Sequence, residues 1–426
     1  MSVVAAEQHS KPENASPKAS FTASDFRWAA SAGAANASRR LSRVLSLDDF
    51  EVEARRVLPR CIFGFVSGGV EDNRSRDANR SAFDDWSFVP RALVDTTKRG
   101  QAVDLFGQRW STPFGIAPMG STALGAFECE RVLAGGAYEA GIPCLLSGAS
   151  LMAMEKVIAA NPDAWFQAYI PGDRATVAPL IERVRRAGYK TLVITVDVAV
   201  NGNRENNVRS GFSIPLRPTP RLAWDGITHP HWLIHTLART LWRNGMPRFE
   251  NISGDERGPP LISPTAQRSF GRRDSLSWDD IAWIRDQWSG NLVLKGILAP
   301  EDALKAQGIG ADGIIVSNHG GRQLDGSLAP MRALPDVVSA VGASTTVMLD
   351  SGIRRGTDVL KALALGASFV FLGRPFFFAA SVDDEAGVRH AITLLAEEID
   401  RDLALIGCTS LAQLNPSFLI HNPRAR

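Results

Sequence analysis

Short runs of apolar residues alternate along the chain with segments whose apolar residues recur at helical spacing. Such runs are typical of parallel strands that are buried on both faces of a sheet. The predicted strands are Phe114–Pro118, Ile142–Ser147, Trp165–Ile170, Thr191–Asp197, Asn291–Lys295, Gly313–Ser317, Thr346–Asp350 and Phe369–Gly373.

Helical segments separate most of these strands, for example Thr176–Ala187, Pro300–Gln307 and Thr357–Leu365. Pro300 suits a first helical turn, where its missing N–H has no intrahelical partner to lose. Eight strand–helix units predict an α/β fold of the closed (β/α)8 TIM-barrel type. An open, doubly wound sheet is the alternative architecture.

The chain before the first units divides into two parts. Residues 1–45 are rich in Ala and Ser and show no periodic pattern, which predicts a disordered N-terminal extension. At Ser46, a plausible N-cap, an amphipathic helix opens and runs towards Arg60. The barrel domain is therefore predicted to span residues 46–420.

The connection between the fourth and fifth strands is about ninety residues long, far beyond ordinary loops. Within this insertion, assigned to residues 205–275, the segment 231–243 has helical periodicity. An apolar face opposite a basic one is typical of helices that lie on a membrane surface. Residues 215–265 are thus predicted to contact a membrane surface, the alternative being a helix packed on the barrel or a neighbouring subunit. The apolar face comprises Leu233, Ile234, Leu237, Ala238, Leu241 and Trp242, and the basic face His235, Arg239 and Arg243.

Composition narrows the class of protein. A net charge of +2 gives no reason to expect a nucleic-acid partner. The four cysteines are scattered without zinc-type spacing, which predicts no metal site and favours a reducing cytosol. No run of 18 apolar residues is long enough to span a bilayer as a helix.

Polar and titratable residues follow the predicted strands, at the barrel end where loops converge on active sites. His319 has an ordinary pKa suited to a general base at neutral pH, and Asp197 could orient its imidazole. Arg322 could grip a carboxylate with its planar fork. Lys295 offers a positive charge where negative charge develops.

Arginines and glycines follow the last two strands, where barrels commonly hold phosphate on backbone N–H groups and a basic side chain. Arg354 lies near Gly352, and Arg374 follows Gly373. These residues predict a phosphorylated cofactor or substrate without saying which.

Two segments resemble the FMN-dependent L-2-hydroxy acid dehydrogenases and oxidases, such as glycolate oxidase, L-lactate and mandelate dehydrogenases and the flavin domain of flavocytochrome b2. Residues 317–326 read SNHGGRQLDG, and residues 349–367 read LDSGIRRGTDVLKALALGA. The resemblance extends over about residues 47–418. It implies FMN as cofactor and oxidation of a 2-hydroxy acid to the 2-oxo acid.

The resemblance also implies roles for individual residues. His319 would take the substrate proton with Asp197 as its partner, while Arg322 and Arg204 would bind the carboxylate. Tyr169 would hydrogen-bond the reacting end of the substrate, and Lys295 would stabilise the reduced flavin. Flavin-ring contacts are implied for Pro118, Met119, Gly120, Ser147, Gln167, Thr195 and Ser317, and phosphate or ribityl contacts for Asp350, Gly352, Arg354, Gly373 and Arg374.

Two positions depart from the family pattern. Phe65 stands where the family usually has a Tyr whose hydroxyl helps to bind the carboxylate. Losing that charge-assisted hydrogen bond would cost about 1.5–3 kcal/mol if nothing replaced it. Glycolate oxidases carry a Trp just after the second strand, where this chain has Ser147-Gly-Ala149. The small Ala149 leaves room for a bulky or aromatic substituent, which favours a mandelate-like or other large 2-hydroxy acid.

The resemblance further implies a cytoplasmic homotetramer that can lie peripherally on the cytoplasmic face of a membrane. Its electron acceptor could be a quinone or electron-transport partner, or O2 as in oxidases and lactate monooxygenase. Two other readings stay open from the residues alone. One is another phosphate-binding barrel, such as an aldolase with Lys295 as Schiff-base lysine. The other is a binding protein that has lost turnover through Phe65.

Overall fold

The computed structural model describes residues 40–217, 219–254, 257–265 and 273–422. Eight parallel strands form one sheet in these ranges, and each lies within or close to a predicted apolar run. The strands are β1 (Phe114–Ile116), β2 (Leu145–Ser147), β3 (Trp165–Ala168), β4 (Thr191–Thr195), β5 (Asn291–Ile297), β6 (Gly313–Val316), β7 (Thr346–Asp350) and β8 (Phe369–Leu372).

The sheet closes on itself. Each strand pairs in parallel with the next one in the chain from β2 to β8, and β8 pairs with β1. A parallel bridge between Ile116 and Cys144 joins β1 to the start of β2, where the Ile116 N–H donates to the Pro143 carbonyl over 2.9 Å. This closure confirms the predicted (β/α)8 barrel and excludes the open doubly wound sheet.

Helices surround the barrel and pack apolar side chains against the outer faces of the strands. The last of these helices, residues 374–406, has non-helical backbone angles at Asp383 and Asp384, so it consists of two helical parts joined at a kink. The barrel helices are α1 (Cys129–Ala140), α2 (Met154–Ala160), α3 (Arg174–Ala187), α4 (Trp278–Gln287), α5 (Pro300–Gly308), α6 (Pro330–Val341), α7 (Gly356–Ala364) and α8 (Arg374–Ile406).

Among the described residues, three α-helices precede the barrel: Leu47–Val57, Arg60–Ser67 and Arg74–Ser81. The predicted capping by Ser46 is present, since its side chain and that of Asp49 form a capping box. The first helix ends before the predicted Arg60 because Pro59 restricts the backbone of Leu58 to an extended conformation.

The predicted disordered extension lies mostly outside the described residues, which begin at Arg40. Its last residues pack on the barrel. Leu41 and Val44 are buried, and the Val44 carbonyl is 2.9 Å from the imidazole Nε2 of His390.

A two-stranded hairpin, Val103–Leu105 and Gln108–Trp110, covers the end of the barrel at which the strands begin. Its Leu105 and Trp110 pack with inward-facing side chains such as Trp165 and Phe369. A second antiparallel pair joins Trp86–Phe88 to Leu419–His421. The interior is therefore filled from one end, and a cavity opens at the opposite end.

The insertion after β4 is mainly helical. Its elements are Glu205–Ser210, Pro220–Ile227, Pro230–Trp232, a π-helical stretch at Leu233–Ala238, and Arg239–Asn244. Within the described ranges, no helix has both the length and the apolar content needed to cross a membrane.

Part of the apolar face predicted for residues 231–243 is exposed, namely Ile234, Leu241 and Trp242. Trp232, Thr236 and Thr240 face the protein instead.

Candidate active site

A cavity of about 370 Å³ opens at the carboxyl ends of the barrel strands. Side chains from several strand ends reach it, including Thr195 at the end of β4, Lys295 on β5 and Asp350 at the end of β7. The loops that follow the strands supply His319, Arg322 and Arg354, and the helix after β8 begins with Arg374. Arg354 and Arg374 are the arginines predicted to bind a phosphate. The site therefore lies at the end of the barrel where the sequence predicted it.

His319 and Asp197 form a hydrogen-bonded pair in this site. The imidazole Nδ1 lies 3.0 Å from Asp197 Oδ1. His319 adopts a left-handed backbone conformation (φ 59°), and its N–H donates to Ser317 Oγ over 3.0 Å. A carboxylate at Nδ1 favours the tautomer that carries its proton there, which leaves Nε2 as the basic nitrogen.

The charge states of the pair follow from their surroundings. Burial lowers the pKa of His319, and the positive charges of Lys295 and Arg204 add to this effect, although Asp197 partly opposes it. Burial alone would raise the pKa of Asp197, but attraction to His319 and Lys295 outweighs it and lowers that pKa. At neutral pH the pair is therefore a neutral imidazole beside a carboxylate.

Lys295 is a buried, fixed positive charge. Its Nζ lies 2.8 Å from Asp350 Oδ2 and donates to Ser317 Oγ over 2.9 Å. Burial alone would lower the pKa of Lys295, but Asp350 and Asp197 outweigh it and raise the pKa. A Schiff-base lysine needs a neutral amine, so this environment disfavours the aldolase reading.

Two arginines are anchored by the carboxyl end of the helix Arg60–Ser67. Arg322 donates from Nη1 to the carbonyls of Phe65 and Gly68 over 2.7 and 2.9 Å. Arg374 donates to the carbonyls of Val66 and Gly68 over 2.8 and 3.0 Å. Terminal carbonyls of a helix lack intrahelical partners and carry partial negative charge, so they hold guanidinium groups well.

Arg204 and Tyr169 complete the polar wall. Arg204 donates from Nη2 to Gln323 Oε1 over 2.9 Å and from Nε to the Arg322 carbonyl over 3.3 Å. The Tyr169 ring lies 6.4 Å from the His319 ring, centroid to centroid. Burial raises the pKa of Tyr169, so its phenol stays protonated and can donate a hydrogen bond.

Phe65 faces the cavity next to the guanidinium of Arg322. Its ring stacks on Phe212 at 4.2 Å between centroids, and Arg322 Cζ lies 5.0 Å from the Phe65 ring centroid. Ala149 also lines the cavity, beside Gly120, where an added Cβ would lie 2.9 Å from the Ala149 Cβ.

The structure brings the predicted residues together, in two groups. Four of them lie behind the cavity wall as support: Asp197 behind His319, Ser317 against Lys295, and Ser147 hydrogen-bonded to Gln167 over 2.9 Å. The others line the cavity: Phe65, Pro118, Met119, Gly120, Ala149, Tyr169, Thr195, Arg204, Lys295, His319, Arg322, Asp350, Gly352, Arg354, Gly373 and Arg374.

Sequence reasoning missed several cavity residues. Ile214, Phe249 and Arg273 come from the insertion, where no strand end marks their place. Ser351 follows the Asp350 that was predicted, and its Oγ accepts from the Gly320 N–H over 3.0 Å. In the sequence, only the pair of consecutive arginines that ends with Arg273 could have pointed to a cavity residue in the insertion.

Comparison with known proteins places this site in a family. A family model described as FMN-dependent dehydrogenase matches residues 54–421. The chain belongs to that family. It is 37% identical over 377 residues to (S)-mandelate dehydrogenase of Pseudomonas putida, covering 88% of this chain and 94% of the relative. It is 38% identical over 395 residues to L-lactate dehydrogenase of Caulobacter vibrioides, covering 90% and 99%.

A solved structure agrees with these relatives. The crystal structure of a protein named monotopic membrane protein (S)-mandelate dehydrogenase superposes with a TM-score of 0.84 at 37% identity, covering 89% of this chain and all of the other. The protein is therefore an FMN-dependent 2-hydroxy acid dehydrogenase or oxidase, which confirms the predicted family, cofactor and enzyme class.

The cavity residues fit the FMN that the family uses. Among the described residues, the buried polar atoms Gln167 Nε2 and Thr195 Oγ1 have no hydrogen-bond partner. Buried polar groups are rarely left unsatisfied, and a flavin ring offers acceptors and donors on its polar edge. At the other side of the cavity, the guanidinium groups of Arg354 and Arg374 can bind a phosphate. Position 352 requires a glycine, because a Cβ there would lie 2.1 Å from the Asn79 carbonyl oxygen.

Proposed function

We propose that this enzyme oxidises an L-2-hydroxy acid with a large substituent to the 2-oxo acid, with His319 as the base. The observation that carries the proposal is the His319–Asp197 pair in a cavity that also holds Arg204, Arg322 and Lys295. A neutral imidazole beside two guanidinium groups is suited to a substrate with a carboxylate next to an acidic proton.

His319 removes a proton from the substrate at Nε2, and Asp197 stabilises the imidazolium that forms. The same base serves removal of the hydroxyl proton with hydride transfer from C2 and removal of the C2 proton itself. When bound, FMN supplies the electron acceptor for this oxidation. Lys295 provides positive charge where the oxidation adds negative charge.

Arg322 and Arg204 bind the substrate carboxylate. Within the described residues, the hydrogen bonds of Arg322 leave from Nη1 alone, so its other edge is available for a bidentate contact. Gln323 orients Arg204, since its Oε1 accepts from Arg204 while its Nε2 donates to the carbonyl of Val200 over 3.0 Å. Tyr169 donates its phenol hydrogen to the reacting end of the substrate.

The cofactor is held by the two groups of residues that the resemblance implies. Pro118, Met119, Gly120 and Thr195 form the wall for the ring, with Ser147 and Gln167 behind it. Gly352, Arg354, Gly373 and Arg374 take the phosphate. Asp350 and Ser317 fix the ammonium of Lys295 through contacts of 2.8 and 2.9 Å.

The cavity favours a substituent larger than the hydrogen of glycolate. Ala149 and Gly120 are small, and Phe65, Ile214 and Phe249 provide apolar surface. The relative named (S)-mandelate dehydrogenase is consistent with a bulky substituent.

A surface patch on the insertion supports peripheral membrane attachment. Large apolar side chains are exposed there beside the basic residues Arg239 and Arg243, which matches helices that bind anionic membranes. Ile214 and Phe249 of the same insertion line the cavity, and a quinone is the acceptor we favour over O2. We call the patch the apolar cap; it comprises Trp224, Ile227, Ile234, Leu241, Trp242 and Met246.

An anaerobic substrate panel tests the activity. The purified, yellow enzyme is mixed with L-lactate, L-mandelate, glycolate and larger L-2-hydroxy acids, and flavin absorbance is followed. Large acids should bleach the flavin fastest. His319→Gln should keep its FMN but reduce it about 10²- to 10⁴-fold more slowly, the range for loss of a general base.

Failure of every acid to bleach the wild-type flavin would favour a binding protein and refute the proposal. Near-normal reduction in His319→Gln would remove that residue from the base role. Adding a quinone analogue or air to the reduced enzyme then identifies the acceptor, and faster reoxidation by air would contradict the quinone assignment.

A further inference from the structure

Besides the arginines assigned to the substrate carboxylate and the phosphate, Arg273 also lines the cavity. It lies at the end of the insertion, five residues before α4 begins at Trp278. Neither the base nor the carboxylate-binding pair requires it. Its position raises the question of which part of a ligand it meets.

Contacts place Arg273 on the outer wall of the cavity. Its Cζ lies 5.1 Å from the centroid of the Tyr169 ring, and Nη2 donates to Asn201 Oδ1 over 3.5 Å. Asn201 is exposed, which marks this wall as the side nearer to solvent. Tyr169 is also the neighbour of His319, so one aromatic ring separates the guanidinium of Arg273 from the base.

Among the described residues, positively charged side chains outnumber carboxylates around the cavity: Lys295 and five arginines line it, with Asp350 and the nearby Asp197 as carboxylates. The two carboxylates at the reaction centre, Asp197 and Asp350, contact His319 and Lys295 at 3.0 and 2.8 Å. Burial lowers the pKa of Arg204, and the positive charge of Arg273 contributes to the lowering, although Tyr169 and Asp197 oppose it. A substrate carboxylate bound by Arg204 and Arg322 therefore does not by itself balance the positive charge of the wall that includes Arg273.

We propose that Arg273 binds a second carboxylate at the far end of the substrate, so that the preferred substrates are L-2-hydroxy acids with an anionic substituent. This rests on the proposed function, which places the first carboxylate on Arg204 and Arg322. The apolar surfaces of Ile214 and Phe249 would contact the spacer. An anion near the solvent side also loses less hydration than one at the flavin, so its contact with a guanidinium is less costly.

Two matched pairs of acids test this specificity in the intact, FMN-loaded enzyme. L-2-hydroxyadipate and L-2-hydroxyhexanoate have the same chain length and differ in the terminal carboxylate. L-4-carboxymandelate and L-mandelate differ in the same way on an aromatic ring. The ratio of the flavin reduction rate constant to Kd is measured anaerobically for each acid.

In the wild type, the diacid should be preferred in at least one pair by about 10-fold or more, as expected for a charge-assisted hydrogen bond. Arg273→Gln should remove that preference while changing reduction by the matching monoacid less than about 3-fold, and Arg273→Lys should retain part of it. Arg174→Gln is the matched control, because Arg174 also lies over an aromatic ring, Trp283 at 5.5 Å, but not in the cavity.

Equal or better reduction by the monoacid in both wild-type pairs would overturn the proposal without any variant having to fold. A diacid preference that survives in Arg273→Gln would assign it to another group and also overturn the proposal. Both results leave the proposed function standing, since the monoacids would still bleach the flavin. Bleaching by none of the four acids or of the wider panel would instead refute the proposed function.

Discussion

The pKa of His319 reflects two opposing influences, burial of the imidazole and the carboxylate of Asp197, 3.0 Å away. Because burial lowers the pKa of the imidazole from its ordinary 6.5, His319 is neutral in the free enzyme at neutral pH and can accept a proton. Flavin reduction should therefore persist through pH 6.5 and fall only at lower pH, where the imidazole takes up a proton. The same shift lowers folding stability only as the pH falls below 6.5, because the unfolded chain then binds this proton while the folded one does not.

Asp197→Asn tests the partnership. The amide keeps the hydrogen-bond geometry but removes the negative charge, so the imidazolium loses its stabilisation and the pKa of His319 falls further. We expect flavin reduction at saturating substrate to slow by roughly 10- to 100-fold, the effect of one charge-assisted hydrogen bond. The acidic limb of the pH profile should also move to lower pH, as measured by anaerobic stopped-flow absorbance. A rate loss with an unmoved limb would mean that Asp197 acts only structurally.

Phe65→Tyr tests the departure from the family pattern. The Phe65 ring lies 5.0 Å from Arg322 Cζ, so a hydroxyl added to it can reach a carboxylate bound by that arginine. We expect the Kd of L-lactate, taken from the substrate dependence of flavin reduction, to fall by about 10-fold. Phe249→Tyr, which adds a hydroxyl to a cavity residue of the insertion, is the control and should not tighten lactate binding. An unchanged Kd in Phe65→Tyr would show that the two arginines already satisfy the carboxylate.

At the scale of elements, predictions succeeded where local physics decides the structure. The helix predicted at Thr176–Ala187 spans Arg174–Ala187, and Asp173 caps it through the Ala175 N–H. The insertion was harder because its side chains pack against distant parts of the chain. Trp232 donates its indole hydrogen to the Leu124 carbonyl over 2.7 Å, a contact that no periodicity reveals.

The apolar cap makes a prediction for the insertion as a surface element. Trp224 and Trp242 are 68% and 87% exposed, so removing them should cost the fold little. Trp224→Ser combined with Trp242→Ser should weaken binding to anionic vesicles by about 10-fold or more in a sedimentation assay, because each side chain buried in the interface contributes roughly 1.5–3 kcal/mol. Substrate-driven flavin bleaching should be unchanged.

The matched control for the cap replaces equally exposed apolar residues elsewhere. Leu93→Ser combined with Leu405→Ser removes side chains that are 105% and 67% exposed but lie outside the insertion. Vesicle binding should survive in this variant. Equal loss in both double variants, or no binding by the wild type, would contradict attachment through the cap.

For the whole molecule, the eight buried apolar runs and the helical segments between them predicted the barrel, because eight strand–helix units favour a closed parallel sheet. Residues at strand ends were predictable for the same reason: the fold brings those ends together. The hairpin Val103–Trp110 and the position of Arg273 were not, since three-residue strands and irregular insertions carry no distinctive pattern. Asn79 and Asn318 show a similar limit, pairing across the fold over 2.7 Å from 239 positions apart.

Cofactor and fold are coupled through the buried arginines at the phosphate end. Burial, with the nearby charge of Arg80, lowers the pKa of Arg354 to about 10, and burial with the charge of Arg354 lowers that of Arg374 to about 9. A phosphate relieves this mutual repulsion, so part of its binding energy appears as stability of the whole barrel. Removing FMN should lower the melting temperature by roughly 3 °C, the scale expected for a chain of this size when a ligand held at about 100 times its Kd is lost.

Inorganic phosphate separates this charge effect from ring binding. In the FMN-free enzyme, phosphate should raise the melting temperature more than chloride at equal ionic strength, as followed by scanning calorimetry. Arg374→Gln should reduce that difference, because the remaining cations repel each other less and hold the anion less well. If phosphate and chloride act alike, the arginines are neutralised within the protein, and the stability gained from FMN must come from its ring.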